Sequence, residues 1–458
     1  MTMSTESLAQ ALQRAGSPVE LLRNQDWPAF TFPVAPEFTN WRDEQRSWAI
    51  SAALMDQSHH MTQLFMHGDD LIDVISGISP NTFGNFRRGV AKQLISVNVD
   101  GYLIGDGILF YNWEGEDGIV LIGHHVLIDW VRFHLEKAAG DGKDVHHRLE
   151  ANSIMRDEPP TFYRYQLQGP NAHAIMEKLL GTEVPEVKFF HIADFEIGGK
   201  NVYALRHGMA GQPGFELYGP WADAEHVRST ILDVGEPWDI RAIGAKAYSS
   251  TPLVSGWVPT HLPAIFGDDC AEYREWLPAN RAGAVAGSFH SDDITDYYTT
   301  PYDFGLGRSV RFDHDFHGRA ALERHAENPP RRKVTLMWHP EDVAALVRSQ
   351  LEDGTPGKFL EFPKGRYGLY QMDDVMQGDK RVGISTDAGY VAYDQRYMSL
   401  ATLDNDVPEG AEVEVVWGED PISAKPQVDA RHRQVRIRAT VVPSPYHEYA
   451  RTAYRANS

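Results

Sequence analysis

The sequence predicts an α+β protein whose last third is a separate β-rich unit, and three observations carry that expectation. Short strand-like and helix-like segments are mixed through the first 330 residues, which favours α+β over a doubly wound parallel sheet. Glu327-Asn328-Pro329-Pro330-Arg331-Arg332 then punctuates the chain like a linker. Beyond it come β-rich segments broken by Gly and Asp turns, as expected of a small closed β-domain. At roughly 150 residues per domain, 458 residues correspond to about three domains. The expected division is 1–330 for the functional region and 331–458 for the β-barrel.

The elements follow in order. Leu8, Leu12, Ala15, Leu21 and Leu22 mark an amphipathic opening helix. Trp27 to Phe38, with Pro28, Pro33 and Pro36, reads as an irregular aromatic arm. Trp41, Gln45, Trp48 and Ala52 predict a helix over 41–54. Met61 to Met66 reads as a strand, and Leu71, Ile72, Val74 and Ile75 as a helix capped by Asp69 or Asp70. Gln93–Val99, Ile108–Trp113 and Ile119–Ile122 are further strands, with Asp100-Gly101 a turn. In the last third, 334–338, 389–393, 411–417 and 435–442 are the strand candidates.

Composition narrows the partners. Hydrophobic residues at 42% and charged residues at 23% exclude wholesale disorder. Asp plus Glu outnumber Lys plus Arg by 64 to 43, a net charge of −21, which argues against nucleic acid as a general partner. No apolar run approaches the length of a membrane span, and Met1 to Leu8 carries no basic or apolar leader, so a cytoplasmic protein without membrane partners is expected. The single cysteine, Cys270, excludes an internal disulfide and a Cys-based zinc or iron–sulfur site.

Candidate chemistry is sparse. The doublets His59-His60, His124-His125 and His146-His147 lack metal-ligand spacing, and on a strand each presents at most one ring to one face, so no metal is expected. Cys270 sits beside Asp268 and Asp269, which disfavours its thiolate. Gly208-Met209-Ala210-Gly211-Gln212-Pro213-Gly214 is neither a P-loop nor a dinucleotide fingerprint and reads as a turn between strands. The strand after it places Glu216 between Phe215 and Leu217. A carboxylate there needs a partner, and a ligand with two adjacent N–H donors suits it.

Seven segments then stand in one order: Leu54–Met61, Tyr165–Ala172, Arg206–Tyr218, Thr300–Gly307, Phe312–Leu322, Val382–Ser385 and Ile437–Val442. Together they resemble the folate-dependent methyltransferase family of the glycine cleavage T-protein, over nearly the whole chain. Pro36–Arg42, Gly105–Ile108, Tyr273–Asn280, Lys333–Leu336 and Val442–Tyr446 resemble the tetrahydrofolate-dependent aryl O-demethylases of that family, which take methyl groups from lignin-derived aromatic acids. The resemblance implies two interleaved N-terminal α+β lobes plus the C-terminal β-barrel. It also implies transfer of an aryl methyl to N5 of tetrahydrofolate without a metal. Gly244–Ser250 departs from the aminomethyltransferase pattern, as does Gly105-Asp106 from its paired aspartates.

The same resemblance implies roles. Tyr248 is the acid for the leaving phenolate, with His60 and Gln57 in its pocket. Glu216 would accept from the pterin's 2-amino and N3–H groups, Gln168 is a second folate contact, and Trp257 packs on the folate or aryl ring. Trp27, Phe30 and Phe32 wall the aryl pocket, and His124 and Arg42 are the candidates for the substrate's carboxylate and phenol. His124 stands where vanillate-type enzymes have Arg, and Phe30 and Phe32 where they have Tyr, which favours syringate over vanillate or 3-O-methylgallate. The alternatives are a demethylase of a sulfonium or methylamine, and a folate-binding accessory protein without turnover.

Overall fold

The computed structural model describes residues 6–25, 33–111, 118–420 and 431–454. Two sheets and a barrel organise it. A six-stranded sheet contains Ala52–Asp56 at an inner position, flanked by Ile240–Ile243 in parallel and Phe162–Gln168 antiparallel; Gly214–Pro220, Lys200–Leu205 and Ile192–Ile197 complete it. The five strands between 62 and 150 form a second sheet. One lobe is therefore inserted between two hydrogen-bonded neighbours of the other, which is the interleaving.

The opening segment is two helices, Leu8–Ala15 and Pro18–Asn24, broken by Gly16 in the left-handed region and restarted by the Ser17 cap. The predicted 41–54 helix ends at Ile50. Ala52, Ala53, Leu54 and Met55 are all buried, and a run apolar on both faces belongs to an inner strand rather than to a one-sided helix. Asp70 does not cap the helix Leu71–Gly77 through its side chain. Its carboxylate accepts from Asp144 N at 2.8 Å, while the Asp144 carboxylate accepts from Asp69 N at 2.8 Å, a reciprocal clasp between lobe segments.

The C-terminal strands close into a six-stranded barrel, Arg331–Trp338, Arg396–Asp404, Lys380–Val391, Asp373–Gln377, Glu412–Trp417 and Val435–Pro443 in spatial order. Two of these, Asp373–Gln377 and Arg396–Asp404, were not among the sequence candidates. A barrel wall places one face inward, and both strands carry polar residues among the apolar ones that blur their signal. Gln45 fastens the barrel to the first lobe. Its amide donates to Ser250 Oγ at 2.7 Å and Tyr390 O at 3.0 Å and accepts from Ala392 N at 2.7 Å. Trp41, Met55, Ala247, Leu253, Val391 and Met398 form one buried cluster across that junction. Among the described residues no helix is long and apolar enough to cross a membrane.

Candidate active site

Tyr248 ends a single helical turn, Ala245–Tyr248, whose start is built by contacts distant in sequence. Buried Glu44 accepts from Gly244 N at 2.9 Å and from Phe38 N and Thr39 N at 2.6 and 2.8 Å. Ala245 N and Lys246 N donate to Ala35 O and Pro36 O. A Cβ on Gly244 would lie 2.4 Å from Pro36 O, so this close approach requires glycine. One carboxylate thus ties the arm to the segment that aims Tyr248.

The Tyr248 hydroxyl receives a hydrogen bond from Gln57 Nε2 at 3.1 Å and lies 3.1 Å from His60 Nε2. A straight strand would send residues three apart to opposite faces. Here the strand stops at Asp56, whose side chain accepts from Ser58 N, and the chain turns so that both Gln57 and His60 reach one oxygen. Gln57 also donates to Gln166 Oε1 at 3.1 Å, which holds its amide orientation. Burial pushes the Tyr248 phenol well above its ordinary value, so it keeps its proton at neutral pH. Burial, with Arg164 and Arg366 nearby, brings His60 down to about 3, so its imidazole is neutral. The arrangement can hold one proton at Tyr248 Oη and present it to an incoming oxygen.

Tyr248 and His60 stand on the wall of a cavity of about 190 Å³. Trp257 and Asp106 form another wall, joined by Trp257 Nε1 donating to Asp106 Oδ2 at 3.4 Å. His261 lines it too, and its buried Nε2 has no hydrogen-bond partner among the described residues. Both His124 and His125 face the cavity. The one-ring-per-doublet expectation fails there because the pair straddles a strand end at Gly123 and the start of the helix His125–Gly140. That helix packs so closely that a Cβ on Gly105 would meet Leu127 Cβ at 2.8 Å, which explains glycine before Asp106. A groove of about 410 Å³ runs past Val34, Asp56, Trp221 and Arg228. A narrow gap between groove and cavity is lined by Val34, Asp56, His60 and Tyr248.

Other assigned residues sit elsewhere. Gln168 is fully buried and does not line the cavity: its amide donates to Gln212 O at 2.7 Å and accepts from Ala210 N at 2.7 Å. It pins the 207–213 loop rather than offering a ligand contact. Glu216, 2% exposed, is ion-paired through one carboxylate oxygen to buried Arg164. It shares a sheet face with Gln166, its register partner. Arg42 is exposed on the helix Trp41–Ile50 with its guanidinium 5.3 Å from the Trp41 ring, and it does not line the cavity. His124 does line it, but burial and the charges of Arg281, His261 and Arg366 bring it down to about 3, so it carries no positive charge for a carboxylate. Trp27, Phe30 and Phe32 lie outside the described residues. Among the described residues no group of three His, Cys, Asp or Glu side chains is placed to hold a metal ion.

Sequence reasoning missed Arg281, Lys364 and Arg366, all of which face the cavity. The last two come from the 357–369 segment beyond the expected domain boundary. Their only signal was two cations inside the Pro- and Gly-dense run Pro363-Lys364-Gly365-Arg366-Tyr367-Gly368.

The family model described as the GCVT N-terminal domain matches residues 18–258. The chain belongs to the GCVT family. Syringate O-demethylase from Sphingobium sp. is 42% identical over 98% of this chain and 98% of that relative. Sesamin methylene transferase from Sinomonas sp. is 28% identical, with 83% and 82% covered. The aminomethyltransferase of Bacillus subtilis is 23% identical, with 92% and 94% covered. The crystal structure of glycine cleavage system aminomethyltransferase T from Bartonella henselae has the same fold: TM-score 0.60 and 18% identity, over 97% of this chain and 99% of that one. This GCVT-family chain is an enzyme, and its interleaved lobes and terminal barrel are those of the family fold.

Proposed function

We propose that this GCVT-family enzyme transfers the methyl group of a methoxylated aromatic acid, syringate foremost, to N5 of tetrahydrofolate. The products are the phenol and 5-methyltetrahydrofolate. The observation that carries this is the Tyr248 hydroxyl, held between Gln57 and His60 at 3.1 Å each on the cavity wall. The 42% identity to a syringate O-demethylase supports the substrate class.

The reaction is an in-line displacement. The N5 lone pair forms the new N–C bond as the C–O bond breaks, and the C–O electron pair stays on the aryl oxygen. Tyr248 donates its hydrogen bond or proton to that oxygen, and the N5 proton balances it, so no oxidant or reductant is consumed. A phenol is matched to a phenolate leaving group, and a positioned acid contributes about 10²–10⁴-fold. Holding N5 behind the methyl carbon supplies up to ~7–11 kcal/mol in favourable cases.

The residues present fit a folate. Trp257 offers a ring face, and Asp106 and the unpartnered Nε2 of His261 offer acceptors for N–H donors. We assign the pterin's donor edge to Glu216, oriented by Arg164 on the face that leads through Gln166 and Gln57 to Tyr248. We assign the aryl ring to the Tyr248 side of the cavity, next to the gap that Val34 lines.

The test is anaerobic incubation with tetrahydrofolate and, separately, syringate, vanillate and 3-O-methylgallate, with 5-methyltetrahydrofolate and the freed phenol followed by mass. Stoichiometric appearance of both products is expected, fastest with syringate. Folate binding without product from any of them would overturn the reading in favour of a non-aromatic donor or an accessory protein.

A further inference from the structure

An aromatic acid entering this cavity brings one negative charge that must be met away from water. A buried carboxylate without a cationic or hydrogen-bonding partner is strongly disfavoured. Burial keeps His60 and His124 neutral and lowers His125 and His261 as well, so the histidines on the wall carry no charge to offer.

Arg281, Lys364 and Arg366 line the cavity, and their settings differ. Arg366 is exposed, where water competes for its charge. Lys364 is ion-paired to Asp387, and an ammonium has no fixed edge with which to orient an anion. The Arg281 side chain is only 12% exposed, and buried Asp129 fixes its plane. Nε and Nη2 of Arg281 lie 2.8 and 2.7 Å from one oxygen of Asp129, so the side edge of the guanidinium is occupied. Nη1 donates to no described residue. The end edge, Nη1 with the second N–H of Nη2, is left over: two parallel donors in the geometry a carboxylate accepts.

The surroundings favour an anion at that edge. The other oxygen of Asp129 meets Arg132 at 3.5 Å, so one carboxylate divides its charge between two guanidiniums. His125 Nε2 lies 3.2 Å from Arg281 O, which sets Arg281 against the start of the helix His125–Gly140. That helix begins without a side-chain cap or a first-turn acid, and Val126 and Leu127 of its first turn line the cavity. Its positive end adds to the guanidinium. The carboxylate on the cavity wall, Asp106, accepts from Gln93 Nε2 at 2.9 Å and from Trp257 Nε1 at 3.4 Å.

We propose that Arg281 is the specificity-determining residue of the cavity: its end edge, held in place by Asp129, receives the carboxylate of the aromatic acid, in place of His124 or Arg42. The assignment rests on the aromatic-acid reading above. The glutamate of folate carries the same chemistry, but a tail that runs to solvent leaves its charge in water and has no need of so deeply set a guanidinium.

The test uses the full-length protein with Arg281→Gln and Arg281→Lys. Because Arg281→Gln strands buried Asp129, it is also made together with Asp129→Asn, and every variant is checked by thermal melting. The ligands are syringate; 2,6-dimethoxyphenol, which has the same methoxyl groups and no carboxylate; tetrahydrofolate; and 6-methyltetrahydropterin, which has the pterin and no glutamate. Binding of each ligand alone is read from quenching of tryptophan fluorescence, and turnover is read separately. Truncating one partner of a buried charge pair should weaken syringate binding by about 30-fold or more, or about 2 kcal/mol at 1.4 per tenfold, in Arg281→Gln and in the paired variant. Arg281→Lys should recover part of that loss. Binding of the other three ligands should change less than about twofold.

Equal losses for syringate and 2,6-dimethoxyphenol would overturn the proposal, since Arg281 would then serve the ring or the cavity's shape. A loss confined to tetrahydrofolate, with 6-methyltetrahydropterin and syringate unchanged, would overturn it by giving the edge to the glutamate. Unchanged syringate binding in the paired variant, with the wild type turning over, would also overturn it and leave the demethylase reading intact. The expected binding pattern without methyl transfer would keep the assignment and remove the demethylase reading. A wild type that binds no aromatic acid would remove both.

Discussion

Replacing Tyr248 by Phe deletes one oxygen from a network whose other members keep most of their bonds. Gln57 Nε2 loses the hydroxyl at 3.1 Å but retains Gln166 Oε1 at 3.1 Å, and Gln166 in turn retains His207 O and Met209 N. The ring stays against the His60 face, where the centroids are 5.2 Å apart. Leaving a buried group unsatisfied costs about 1–3 kcal/mol, so the variant should fold with a modestly lower denaturation midpoint. The chemical step has no such reserve, because His60 is neutral and holds no extra proton to give. Loss of a positioned acid is worth about 10²–10⁴-fold, or ~2.7–5.5 kcal/mol at 1.36 per tenfold. Single-turnover formation of 5-methyltetrahydrofolate reads the chemistry, and fluorescence titration with tetrahydrofolate reads binding. Retained folate affinity with a rate loss of two decades or more is expected. A rate within about threefold of wild type would refute Tyr248 as the acid.

Five further outcomes are expected. Gly208→Ala would put a Cβ 1.4 Å from Gln168 Nε2, so it should displace the 207–213 loop, weaken folate binding and lower the urea midpoint. The same change in a Gln168→Ala background should cost much less, and simple additivity would refute the pinning role. Glu216→Ala should weaken tetrahydrofolate far more than the aryl acid. It should also destabilise by about 3–5 kcal/mol in chemical denaturation, because it strands buried Arg164; equal effects on both ligands would sink the pterin assignment. With His60 and His124 near 3 and Tyr248 raised, the single-turnover rate should show no enzyme-derived limb between pH 6 and 9, and one near 6.5 would contradict the neutral-imidazole site. The same lowered values make stability fall as pH drops below the unfolded histidine value of about 6.5 towards 3, since the unfolded chain takes up protons the folded one refuses. Chelators should leave turnover unchanged; loss restored by one specific metal would overturn the metal-free chemistry.

The linear sequence determined what local rules reach. The helix starts at Ser7, Ser17 and Asn40 follow from side chains that cap their own helices. The strand after the glycine-rich turn and the β-rich last third follow from alternation and turn residues. Seven weak segments in one order carried the family and, through it, Tyr248, His60, Gln57 and Trp257.

Tertiary structure decided everything that depends on who stands opposite whom. Only the fold reveals that Glu216 faces Arg164 and that the two ends of Gln168 are taken by the 207–213 loop. Only burial, which follows from packing, makes His124 a neutral ring instead of a cation. The barrel segment brings Arg366 to a cavity whose acid, Tyr248, is more than a hundred positions earlier in the chain. Spacing along a chain carries periodic and nearest-neighbour forces. Charge pairing, desolvation and cavity formation depend on distances through space, and these exist once the lobes and the barrel have closed around one another.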